Sequence, residues 1–136
     1  VAELRLSEEE RCRWRVVPYI DAMGEALAAA DLVLSRAGAS SIAEIAALAV
    51  PALLVPYPFA TADHQTVNAR YLVDAGAAVL LPDDQIDTPA FLESLRSLID
   101  DGERRTSMRQ AAKSLAQDRA TMALADQVEG AEALGT

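Results

Sequence analysis

Short apolar runs alternate with longer amphipathic stretches along this chain. Residues 31–35, 51–56 and 77–82 each centre on an unbroken apolar run, and the middle one is bounded by Pro51 and Pro56. Strands covered on both faces read this way, because neither face has to meet water. Residues 14–19, apolar and β-branched around Pro18, predict a further short strand ending in a turn. Helical stretches fill the intervals. Ser7 and Glu10 have the spacing of a capping box, and an alanine-rich helix is expected over residues 21–30. A helix opening at Ser40 or Ser41 runs to about residue 49, and one over residues 65–74 stops at Gly76. Thr88 and Pro89 place an N-cap and a first-turn proline ahead of a helix reaching residue 99. Asp100, Asp101 and Gly102 then read as a break before two helices, over residues 103–117 and 121–134. The second of these carries Leu124 and Val128 on one face, as an apolar stripe.

Strands of this kind alternating with helices indicate an α/β fold, a Rossmann-like parallel sheet with flanking helices. Right-handed crossovers set the loops after Leu34 and Val55 on one edge of that sheet. Ligands bind at that edge in open α/β sheets.

Bulk properties narrow the partners. The chain has 136 residues, with 12 Lys and Arg against 21 Asp and Glu, for a net charge of −9. Such a balance argues against nucleic acid and against a polybasic membrane footprint on this segment. The apolar content is rich in alanine and only 4% of residues are aromatic, so the core is expected to rest on close helix–sheet approach. A lone Cys12 and a lone His64 exclude an intrachain disulfide and multi-histidine or cysteine metal sites, and neither a metal nor a cofactor is expected. A reducing cytoplasm fits this cysteine usage.

Two loops carry the candidate chemistry. In the first, Gly38 is expected to adopt a backbone geometry that other residues resist. The amides of Ala39, Ser40 and Ser41 should face out of a helix start, where the macrodipole also favours an anion such as a diphosphate. Glu44, about one turn in, has two readings. It accepts the vicinal hydroxyls of a ribose, or it closes a capping box with Ser41. Arg36 also has two: a bidentate phosphate donor, or the partner of an acid that braces the turn. In the second loop, Asp63 reads as the N-cap of a helix that sets Gln65 and Asn68 on one face. Their amides suit sugar hydroxyls, or they are ordinary surface groups. His64, with no acidic partner evident, is not taken as a general base.

Several runs, in order, carry a family resemblance. They are Val16-Val17-Pro18-Tyr19-Ile20-Asp21-Ala22-Met23, residues 31–38, Glu44-Ile45-Ala46, Val50-Pro51-Ala52-Leu53-Leu54-Val55-Pro56, Asp63-His64-Gln65-Thr66-Val67-Asn68-Ala69 and Asp74-Ala75-Gly76-Ala77-Ala78. Over residues 14–134 the chain closely resembles the MurG family. Those enzymes move N-acetylglucosamine from its UDP donor onto undecaprenyl-linked muramyl-pentapeptide in peptidoglycan synthesis. The resemblance implies that residues 1–136 are the latter part of the C-terminal, donor-binding domain of a two-domain GT-B glycosyltransferase. The acceptor-binding N-terminal domain and the family's general base would then lie outside these residues. No catalytic residue is assigned here, and the chain alone should not catalyse transfer.

By the same resemblance, Ile20 would meet the uracil through its backbone, and Ala39, Ser40, Ser41, Ile42, Ala43 and Glu44 would wrap the nucleotide, with Glu44 on the ribose. Gln65 would touch the sugar, with Asn68 and His64 as neighbours. Ser40 departs from the bulky apolar residue often found there. The implied partners are UDP-N-acetylglucosamine and, through the other domain, a lipid-linked acceptor. The complete enzyme would sit at the cytoplasmic face of the plasma membrane, touching it elsewhere than through this acidic segment. Two alternatives stand beside this: another GT-B UDP-sugar transferase, or a non-catalytic UDP-sugar-binding subunit working with a partner chain.

Overall fold

The computed structural model describes residues 6–134. Its centre is a three-stranded parallel sheet of β1 (Val33–Ser35), β2 (Ala52–Leu54) and β3 (Ala78–Leu80), in that spatial order. Leu34 pairs with Leu53, and Leu53 with Val79, so all three strands point the same way. Helices α1 (Glu8–Arg11), α2 (Met23–Ala29), α3 (Ala39–Ala47), α4 (His64–Asp74), α5 (Pro89–Asp100) and α6 (Gly102–Leu134) surround the sheet. Short 3₁₀ turns, Thr61–Asp63 and Asp83–Gln85, lie after β2 and β3.

β2 explains the two-layer packing. Ala52 and Leu54 face one side, with Leu27, Ile42, Ile45, Ala69, Leu72 and Ala112. Leu53 faces the other, and with Val55 it joins Leu81, Leu98 and Met108. All three β2 residues are buried, as their unbroken apolar run requires. Each large side chain so placed contributes roughly 1.5–3 kcal/mol. On the first side the contacts are made largely by alanines, Ala37, Ala52, Ala69, Ala77, Ala78 and Ala112, which let α3, α4 and the sheet approach closely. α6 supplies Met108 to one layer and Ala112 to the other and so ties them together.

Helix ends follow local chemistry. Ser7 and Glu10 form both bonds of the capping box, and the Ser7 backbone N–H holds the Glu10 carboxyl below its ordinary pKa. Pro89 occupies the first turn of α5. α4 closes with Gly76 left-handed (φ 77°), its N–H on Val73 and the N–H of Ala77 on Leu72. α3 ends the same way, but with Ala49 in the left-handed position at φ 52°.

Three expectations are corrected. Residues 14–19 form no strand: Trp14, Val16 and Tyr19 are exposed, and Pro18 lacks the N–H a ladder needs. The two expected C-terminal helices are one, because residues 118–120 contain neither glycine nor proline to stop α6. Asp63 occupies the expected N-cap position of α4, but it is left-handed (φ 54°) and its side chain makes no cap bond, its carboxylate accepting the Thr66 hydroxyl at 2.6 Å instead. The expected stripe of Leu124 and Val128 lies outside the described side chains.

Candidate functional site at the carboxyl edge of the sheet

Because the strands are parallel, the segments leaving β1, β2 and β3 emerge on one edge. The first is the shortest: three residues, Arg36, Ala37 and Gly38, join β1 to α3. Gly38 is the N-cap, with φ −63° and ψ 150°. Any residue adopts that conformation, so glycine is not required there by backbone geometry, contrary to the sequence expectation. Its value is the missing side chain. Nothing caps α3 from within, and the first intrahelical bond runs from the Ile42 N–H to the Gly38 carbonyl at 3.0 Å. The amides of Ala39, Ser40 and Ser41 precede that bond and sit at the positive end of a nine-residue helix.

This register also removes the capping-box reading of Glu44. With the helix starting at Ala39, Ser41 is its third residue and Glu44 its sixth. A capping box needs the serine at the cap, so Glu44 is not a capping residue, and it is exposed. It lines a cleft of about 350 Å³ together with Ile20, Met23, Leu27, Ser35 and Ser41. Most of the lining is apolar, and the polar side chains are Ser35 at the end of β1 and Ser41 and Glu44 of α3. Ile20, Ser41 and Glu44, separated in sequence, are thus brought to one surface.

Ala39, Ile42, Ala43, Asn68 and Tyr71 line a second cleft, of about 450 Å³, where α3 meets α4. Ile42 differs from the residues beside it. Its side chain is buried and its N–H is spent on Gly38, so it shapes the cleft wall without offering a polar group. Ser40 is exposed on the first turn of α3, and His64 is exposed on the first turn of α4.

Gln65 and Asn68 do share a face of α4, and that face is turned to the first loop. The Gln65 Oε1 accepts the Ala37 N–H at 3.2 Å and the Tyr57 N–H at 2.9 Å. Asn68 Nδ2 donates to the Ala37 carbonyl at 3.2 Å. The fully buried Ala37 peptide is therefore held on both sides by α4. One end of each side-chain amide braces the loop. The Gln65 Nε2 and Asn68 Oδ1 are the ends these bonds leave over.

Arg36 takes the bracing geometry. Its Nη1 pairs with Asp83 and reaches the carbonyls of Val55 (3.3 Å) and Pro56 (3.4 Å), and the guanidinium carbon lies 5.7 Å from the Tyr57 ring centroid. Sequence reasoning missed Asp83 and Tyr57. Both leave strands at this same edge, which was the available signal, but the choice of Asp83 over Asp84 as partner depends on tertiary geometry.

Residues 3–127 match the family model of the glycosyltransferase family 28 C-terminal domain. Among curated relatives, the UDP-N-acetylglucosamine–N-acetylmuramyl-(pentapeptide) pyrophosphoryl-undecaprenol N-acetylglucosamine transferase of Chlorobium phaeobacteroides is 50% identical over 111 residues, 82% of this chain and 30% of that protein. Its namesake from Chlorobaculum parvum is 52% identical over 102 residues, 75% of this chain and 28% of that protein. The crystal structure of Acinetobacter baumannii MurG superposes with a TM-score of 0.67 at 38% identity, covering 74% of this chain and 28% of that one. The resemblance read from the motifs is borne out, as is the Rossmann-like fold. The chain spans about a third of the length of these relatives.

Proposed function

The chain belongs to the glycosyltransferase family 28 C-terminal domain family, and from that premise we propose that it is the donor-nucleotide-binding part of an N-acetylglucosamine transferase of peptidoglycan synthesis. The donor is UDP-N-acetylglucosamine. The acceptor is the undecaprenyl-diphospho-muramoyl-pentapeptide, held by a domain outside this chain, and the complete enzyme works at the cytoplasmic face of the plasma membrane. Among the described residues, no helix is long and apolar enough to cross a membrane.

One observation carries this reading: Ser41, in the uncapped first turn of α3, and the exposed Glu44 carboxylate one turn along border the same largely apolar cleft, and Ala39 borders the cleft between α3 and α4. The uracil packs by Ile20, whose main chain offers it hydrogen bonds. Glu44 accepts the ribose hydroxyls. The diphosphate lies over the amides of Ala39, Ser40 and Ser41, and the sugar extends towards Gln65, Asn68 and His64. In the transfer step, the acceptor hydroxyl attacks the anomeric carbon and inverts it while the bond to UDP breaks. Negative charge then grows on the diphosphate. Fixed amide dipoles stabilise it without reorganising, and this electrostatic term is where the domain contributes to rate.

Calorimetric titration of the complete gene product with uridine, UMP, UDP and UDP-N-acetylglucosamine tests the reading. Affinity should rise from uridine through UMP to UDP as phosphates reach the helix start. UDP should shift the amide resonances of residues 39–41. Equal affinity for uridine and UDP, or UDP binding that leaves those amides unmoved, would overturn it. Preference for another UDP-sugar in the same titration would keep the site and change the donor.

A further inference from the structure

We propose that Asp83, in the turn after β3, is a positioning residue for this donor site, acting through Arg36 on the helix start; the proposal rests on the donor reading above. Three observations converge on the pair. First, Arg36 gathers all three loops of the sheet edge: it belongs to the loop after β1, bonds the Val55 and Pro56 carbonyls after β2, and pairs with Asp83 after β3. Secondly, the side chain is engaged on the β2 and β3 loops and does not line the nucleotide cleft. Arg36 borders an adjoining hollow of about 270 Å³ with Val55, Ile86 and Phe91, which shares Leu34 and Ser35 with the cleft that Ser41 and Glu44 border against α2. Arg36 therefore acts by holding its own backbone, not by reaching across to phosphate. Thirdly, only Ala37 and Gly38 separate Arg36 from the amides of α3, so a rotation at Arg36 is passed almost directly to them.

The pair is partly exposed, with side-chain accessibilities of 47% for Arg36 and 31% for Asp83, so it adds little to global stability. Its effect is local. Without the carboxylate, the guanidinium keeps only two long carbonyl contacts and the Tyr57 ring, and the Arg36–Gly38 loop gains freedom. Binding an anion then has to restrict that loop first.

The experiment uses the complete gene product with Asp83→Asn, Asp83→Glu and Arg36→Ala, alone and with Asp83→Asn combined with Arg36→Ala. UDP affinity is read by calorimetry, and amide hydrogen exchange is read without ligand. Asp83→Asn should weaken UDP binding about tenfold, the range of coupled neighbours. It should also speed exchange at residues 37–41 while β2 stays protected. Asp83→Glu should recover most of the affinity, and Asp83→Asn should add nothing once Arg36 is alanine. Wild-type affinity with unchanged exchange in Asp83→Asn would overturn the proposal. So would loss of protection in β2 equal to that in the loop, which marks a general structural role. If the unsubstituted protein binds no UDP, the donor reading falls, and exchange at residues 37–41 alone decides whether Asp83 positions the loop.

Discussion

The side-chain carbonyl of Gln65 accepts the backbone N–H of Ala37, two segments 28 residues apart in sequence. The same oxygen accepts the Tyr57 N–H, so one atom fastens the loops after β1 and β2 to the start of α4. Gln65→Ala leaves the part-buried Ala37 N–H, and the exposed Tyr57 N–H, without their acceptor, and a loss of about 1–3 kcal/mol is expected in chemical denaturation. Gln65→Glu keeps the acceptor and should retain most of that stability. Its loss of the Nε2 donor should appear instead in affinity for the sugar-bearing nucleotide.

Glu44 makes the opposite prediction. It is exposed and caps nothing, so Glu44→Ala should change folding stability by no more than about 0.5 kcal/mol. UDP binding should weaken by about 1–3 kcal/mol, because a charged acceptor for ribose hydroxyls is removed. Calorimetry and thermal melts on the same variant separate the two. A melt that falls while affinity holds would contradict the placement of Glu44.

Gly38→Ser tests the empty cap. A Cβ built at Gly38 comes no closer than 4.0 Å to a neighbour, the Ser41 Oγ, and the backbone there is extended. The serine should therefore fold normally, with stability equal to or a few tenths of a kcal/mol above the parent. Its hydroxyl takes an amide that the diphosphate would use, and UDP should bind more weakly than uridine does by comparison with the parent ratio. Improved folding with impaired diphosphate binding is the expected signature.

The two similar helix ends should respond unequally. Gly76→Ala forces a Cβ into the left-handed region and should cost about 1–2 kcal/mol. Ala49→Gly relieves a comparable strain but deletes a buried methyl, worth about 0.8 kcal/mol, and adds unfolded-state freedom. These terms oppose, so Ala49→Gly should be close to neutral in urea unfolding.

Much of the fold was legible because the relevant signals are local. Continuous burial of β2 between two prolines, the stop at Gly76 and the Thr88–Pro89 helix start are each written within a few residues. The edge that gathers the functional loops followed from parallel strands alone. What was missed depends on distant partners. Residues 14–19 have strand-like side chains, but no described neighbour pairs with them. The apparent capping box at Ser41 failed because the cap of α3 lies three residues earlier, at Gly38, which leaves the amides open. Gln65 and Asn68 were placed on the correct face, yet their hold on Ala37 was hidden, since a side-chain amide advertises hydrogen bonding without naming its partner.

The strand order has a colloidal consequence. Among the described residues, β1 and β3 each have a ladder partner on one flank, and Leu34 on β1 is exposed. Strand edges left unpaired in this way recruit strands from other molecules. When these residues are produced by themselves, sedimentation should show association that grows with concentration, and added charge at Leu34, as in Leu34→Lys, should suppress it.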